Sequence, residues 1–130
     1  MKKFSLNLSP HIINATKISV YELYKNGESL FEPFVDEIEK DGHLFDKLAG
    51  ALRIIEATAN LNRYPKTKFR ELKGHGLNCK VYEAKSDIVR IYLFHEEKTG
   101  RVIITGGLKD NQNKDIKSIF KIIKEYQNEK

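Results

Sequence analysis

Apolar and polar positions alternate with a period that changes twice along this chain, and each change marks a change of element. Near the start, Phe4, Leu6 and Leu8 alternate with polar residues, so the spacing predicts a short strand ended by Ser9-Pro10. Lys17–Lys25 (KISVYELYK) is rich in β-branched and aromatic residues and stops at Asn26-Gly27, a turn pair, which predicts a second strand. The period then lengthens. Ser29 and Glu32 have capping-box spacing, and Leu30, Phe31, Phe34, Val35 and Ile38 recur as one helical face. Pro33 fits the first turn of that helix, and Asp41-Gly42 breaks it. A second helix is predicted from about His43 to Leu61, with Leu44, Phe45, Leu48, Leu52, Ile55 and Ala59 along one stripe. So short a break between two helices predicts an antiparallel hairpin.

Beyond residue 62 the period falls to two. Lys80–Ala84 and Ile88–His95 are predicted strands around a Lys85-Ser86-Asp87 turn, and Arg101–Thr105 is a third after the polar Glu96–Gly100 turn. Ile116, Ile119, Phe120 and Ile123 predict a closing helix with its cap near Asn113 or Asp115. This order predicts an α+β fold in one domain over residues 1–130. A small antiparallel sheet, made of the three-stranded C-terminal meander plus the N-terminal strand or strands, packs against a helical hairpin and a C-terminal helix, all on one face. If Val89, Ile91 and Leu93 face those helices, Arg90 and Tyr92 face the open side. Lys80 and Tyr82 share a parity on the preceding strand and are expected to extend that surface. Cations and phenols on an open face suit phosphate contact and base stacking, although the same aromatics also arise as ordinary cross-strand pairs.

Charge adds direction to this pattern. The net charge is +5, but residues 1–62 carry 7 Lys/Arg against 9 Asp/Glu, whereas residues 63–130 carry 16 against 9. The basic half is therefore the candidate surface for an anionic partner. Its densest run spans Lys66 to Lys109 and includes Lys68, Arg70, Lys73, Lys80, Lys85, Arg90 and Arg101. Gly74-His75-Gly76 sets an imidazole in a flexible loop beside Lys73, in reach of acid–base work near neutral pH. Gly106-Gly107 closes the last strand and is expected to bring Lys109 towards the open face. The lone Cys79 excludes an intramolecular disulfide and a cysteine-based metal cluster. No P-loop, G-x-S-x-G, H-E-x-x-H or zinc-type Cys/His spacing occurs. No apolar stretch approaches the roughly 20 residues that cross a bilayer, and the N-terminus lacks a signal-peptide apolar core, so a cytoplasmic location is expected.

Four segments carry a resemblance. ELKG at 71–74, KVYEAK at 80–85, VRIYLF at 89–94 and VIITGGLK at 102–109, followed by a helix, resemble the RelE/ParE toxin superfamily, in its HigB-like, phage-derived branch. The likeness covers about residues 18–127, with the first 17 or so as an N-terminal extension. It implies a RelE-like fold and the toxin of a type II toxin–antitoxin system: a ribosome-dependent mRNA endonuclease that needs no metal or other cofactor. The implied partners are mRNA on the ribosome and a cognate helix-turn-helix antitoxin, with no membrane. By the same resemblance Arg90, Lys73, Lys80, Lys85 and Lys109 surround the scissile phosphate, and Glu83 matches the glutamate of the family's E-L-R. Lys68, Arg70, His75, Tyr82 and Tyr92 are expected to bind RNA. Asp110, Gly106 and Gly107 depart from the family pattern, which has a second lysine, a histidine and a phenylalanine there. Two alternatives stand beside this one: a non-catalytic RelE-fold protein that binds a partner protein or RNA, and a gyrase-directed ParE-like toxin.

Overall fold

The computed structural model describes residues 2–129, which form one seven-stranded mixed sheet and three α-helices. β1 (Phe4–Leu8) and β2 (Val20–Lys25) pair antiparallel, and a two-residue β3 (Glu28–Ser29) folds back on β2. Asn26 and Gly27 make that fold-back possible, with φ of 53° and 83° at adjacent positions, the requirement of a tight primed turn. Helices α1 (Glu32–Asp41) and α2 (Phe45–Ala59) follow, then β4 (Phe69–Leu72), β5 (Lys80–Ser86), β6 (Val89–Glu96) and β7 (Gly100–Leu108). A 3-10 turn over Lys109–Asn111 leads into α3 (Gln112–Glu129). The spatial order is β1-β2-β7-β6-β5-β4, with every path neighbour antiparallel except β2 and β7, which run parallel.

The α+β class, the meander and the three helices are as expected. β3 and β4 are additions, and β4 sits in a stretch whose lysines hide its four-residue alternation. The β5–β6 turn is Asp87-Ile88, later and tighter than expected, with Asp87 at φ 54°. The expected capping box does not form, because Ser29 belongs to β3 and α1 starts at Glu32, with Phe31 at its N-cap and no side-chain cap from that residue. The Ser29 hydroxyl accepts the Phe31 and Glu32 N–H groups (3.2 and 3.1 Å), but the Glu32 carboxylate turns to His11.

The fold corrects two expectations: the sheet is mixed and not antiparallel, because β2 and β7 run parallel, and the helices do not share one face. α1 and α2 cover Val20, Ala84, Val89, Ile91, Leu93 and Ile103. α3 covers the opposite face, setting Ile119, Ile123 and Tyr126 against Tyr92, Phe94, Val102 and Ile104. The cause is legible in β6, where all six residues from Val89 to Phe94 are buried. A central strand covered on both faces reads as a near-continuous apolar run, and its Arg90-Tyr92-Phe94 face holds only one charge. Burying the fully enclosed Ile119 and Ile123 contributes roughly 1.5–3 kcal/mol each to docking α3. A register shift between Tyr92 and Leu93 leaves Ile104 unmatched on β7. Val102 and Ile104 therefore point to α3, while Gly106 returns to the α1 side. No helix among the described residues is long and apolar enough to cross a membrane.

Candidate nucleic-acid interface

Because α3 covers the expected open face, the cations there survive as a cluster at its N-terminal rim. Cross-strand register sets Arg70 opposite Glu83, Glu83 opposite Tyr92, and Lys85 opposite Arg90. Direct partners in antiparallel strands project to one side, so these side chains share the α3 face. The Glu83 side chain is fully buried and organises the group. Arg70 Nε donates to its Oε1 (2.7 Å), Gln112 Nε2 donates to its Oε2 (2.7 Å), and Arg90 Nε lies 3.9 Å from Oε2. Arg90 Nη1 folds back on its own turn, donating to the carbonyls of Asp87 (2.6 Å) and Val89 (3.2 Å). Arg70 and Lys85 remain within reach of solvent, whereas Arg90 is buried.

The electrostatics follow from that crowding. Burial first, then the Arg70 charge, lowers the pKa of Lys85 below the ordinary lysine value, with Glu83 opposing. The Tyr92 hydroxyl is buried without a hydrogen-bond partner; burial, then Glu83 and Asp115, push its pKa up, which keeps the phenol protonated. Burial also raises the pKa of Asp115, in the first turn of α3. Gly106 and Gly107 serve this packing. A Cβ on Gly106 meets the Phe34 ring from α1, and one on Gly107 meets the Asp115 carboxylate from α3. The glycine pair thus admits a helix residue on each face of the sheet.

Of the side chains expected to act, Arg70, Lys85 and Arg90 come together. Lys68 and Lys109 flank them: the Lys68 carbonyl accepts the Lys85 N–H (2.8 Å), and the Lys109 N–H donates to the Ile88 carbonyl (2.8 Å). Of the other five, four lie elsewhere and Tyr92 lies beside the cluster but buried. Lys80 and Tyr82 lie on the opposite face, because Lys80 pairs with His95 and Tyr82 with Leu93; they do not join Arg90 and Tyr92. Tyr92 is buried under α3 and offers no stacking surface. Lys73 and His75 follow β4 at the far end of the strands, about 16 Å from Lys85 at strand rise. The His75 ring packs on Phe120 (5.1 Å between centroids) and its Nδ1 accepts the Leu77 N–H (3.0 Å). Sequence reasoning missed Gln112, which reaches Glu83 only because α3 starts over β5 and β6; no local pattern announces that contact.

Among the described residues one group could hold a metal ion: His11 Nε2 and the carboxylates of Glu22 and Glu32, whose ligand atoms lie within 4.8 Å of one another. Its own hydrogen bonds already satisfy it. His11 Nε2 meets Glu32 Oε2 at 2.7 Å, and the Ser9 and Ser29 hydroxyls donate to the two oxygens of Glu22 at 2.8 Å each. Burial first, opposed by the serine hydrogen bonds and aided by Glu32, raises the pKa of Glu22. No protein-family model matches the chain, and no curated protein or solved structure matches it either.

Proposed function

We propose that the chain is a RelE-like endoribonuclease, the toxin of a toxin–antitoxin pair, cutting mRNA on the ribosome through the Arg70–Lys85–Arg90 cluster. The observation that carries this reading is three cations gathered on one face, with Arg70 and Arg90 paired to one buried carboxylate, Lys85 directly across the strands from Arg90, and Arg70 and Lys85 open to solvent. RNA cleavage without a metal proceeds by attack of a 2′-hydroxyl on the adjacent phosphorus. It leaves a 2′,3′-cyclic phosphate and frees the 5′-oxygen, which takes up a proton. Charge grows on the non-bridging oxygens, and fixed cations stabilise it most where water is partly excluded. Arg70 and Lys85 are the groups that would touch those oxygens. Lys85, with its lowered pKa, suits proton exchange better than an ordinary lysine. Arg90 is a positioning residue, tied to its own turn and supplying field rather than contact. Lys68 and Lys109 extend the contact along the RNA backbone without reading sequence.

A second reading, binding of RNA or a protein without cleavage, has one observation in its favour: Arg90 is buried, and its Nη1 is taken up by two backbone carbonyls of its own turn. Induced expression in a bacterial host separates the two. Cleavage predicts growth arrest with fragmented mRNA, relieved by a helix-turn-helix antitoxin encoded beside the gene. Normal growth at confirmed soluble expression sinks the nuclease reading, and arrest with intact mRNA and DNA damage signalling points to gyrase instead.

A further inference from the structure

The strands that carry the Arg70–Arg90 cluster hold a second basic group, on the other face. Lys80 faces His95 across β5 and β6, and His95 faces Arg101 across β6 and β7, so the three form one row on the α1–α2 side. Arg101 is only 9 % exposed, and its Nη1 donates to Thr58 Oγ1 (2.7 Å) in the last turn of α2. Its guanidinium lies over the rings of Phe69 (5.5 Å) and Tyr82 (5.3 Å), which stack on each other at 4.9 Å. Arg101 Nε and His95 Nδ1 are both buried without a hydrogen-bond partner. Among the described residues Arg101 takes part in no ion pair. The carboxylate whose charge reaches His95 is Glu97, exposed in the β6–β7 turn.

A desolvated guanidinium ordinarily rests against a carboxylate, because burying its charge unpaired is costly. The aromatic rings and the negative end of α2 offset part of that cost here. They leave two nitrogens unused and set two cations either side of an imidazole on neighbouring strands; burial and those cations lower the His95 pKa, and an anion between them would offset both effects. Space for that anion exists on both sides: Arg101 lines a cavity of about 760 Å³ with Lys80, His95 and Lys98, whose rim also carries Glu96 and Glu97, and a second of about 340 Å³ with Arg63 and Tyr64. We propose that Lys80, His95 and Arg101 form a phosphate-binding site on the helical-hairpin face. The guanidinium supplies directional donors at the base, and the exposed Lys80 closes over the anion. The proposal does not depend on the RNA reading, since the phosphate can belong to an RNA backbone or to a small phosphorylated molecule.

Isotope-labelled full-length protein, titrated with inorganic phosphate, a nucleoside monophosphate and an uncleavable 2′-O-methyl oligoribonucleotide, tests it by NMR. The Arg101 Nε–H and His95 ring signals should move saturably with phosphate. His95→Gln should weaken binding roughly tenfold and Lys80→Ala about threefold, with the fold retained. Tighter saturation by the oligonucleotide assigns the phosphate to RNA; saturation by phosphate and mononucleotide alone assigns it to a small molecule. Signals that stay still in all three titrations, or shifts that both variants leave unchanged, overturn the site. RNA that moves only Arg70, Lys85 and Arg90 overturns this site and leaves the RNA reading standing. Phosphate that fills the row in a protein neither binding nor cutting RNA does the reverse.

Discussion

Two basic groups occupy opposite faces of the same strands, and a carboxylate separates them in kind. Arg70 and Arg90 converge on Glu83, which is fully buried and also holds Gln112. Arg101 is also buried, but among the described residues its guanidinium meets a threonine hydroxyl and two aromatic rings and no carboxylate. The first group is built around a counter-charge, so its cations are held in place, and Arg70 and Lys85 project. The second is uncompensated, so an external anion improves it. Exposure alone does not distinguish them; the difference is where each guanidinium finds its counter-charge.

The largest expected effect is on the compensated side. Glu83→Ala strips the anchor from Arg70, Arg90 and Gln112 and leaves Arg90 as a buried charge without a partner. It should cost about 3–5 kcal/mol in urea unfolding. Arg101→Met should behave oppositely, changing stability by less than about 1 kcal/mol, because the lost ring contact and hydrogen bond are set against relief of an unpaired burial. A loss as large as that of Glu83→Ala would erase the contrast between the two faces. The smallest effect belongs to Glu22, the mirror image of Arg101: a buried carboxylate held by hydroxyls, with Glu32 beside it and no lysine or arginine in its ion pairs. Its pKa is raised on folding from an ordinary 4.5. Its contribution to stability is therefore fully present below that value and is lost as pH rises through the folded pKa. Glu22→Gln should match the parent at acid pH and become the more stable of the two as pH rises, measured by thermal melts across the series.

Much of this architecture is written in local patterns. The Asn26-Gly27 turn, the Gly42 helix stop and the hairpin of α1 and α2 all follow from short-range chemistry, and each stands where the pattern puts it. What the pattern hides is two-sidedness. Alternation in VRIYLF separates Arg90, Tyr92 and Phe94 from their neighbours, but it cannot say that α3 will lie over the polar-looking side. That depends on Ile119, Ile123 and Tyr126 sitting far along the chain. For the same reason parity within β5 is readable, whereas its alignment with β6 is not. The tighter turn at Asp87-Ile88 pairs Lys85 with Arg90 and sends Lys80 and Tyr82 to the other face. The site residues that survive are those beside that turn. Those that scatter, Lys73, His75 and Lys80, lie at the opposite end of the strands, where a basic run in sequence becomes two places in space.

Lys85 gives the most direct test of the central claim, because it belongs to the compensated cluster without being part of the Glu83 hydrogen bonds. The measurement is cleavage of mRNA on programmed ribosomes, mapped by primer extension, for the parent and for Lys85→Met at matched thermal stability. The account predicts discrete cuts by the parent and a loss of about a hundredfold or more in rate for the variant. A Lys85→Met protein that cuts the same message at the parental rate contradicts it.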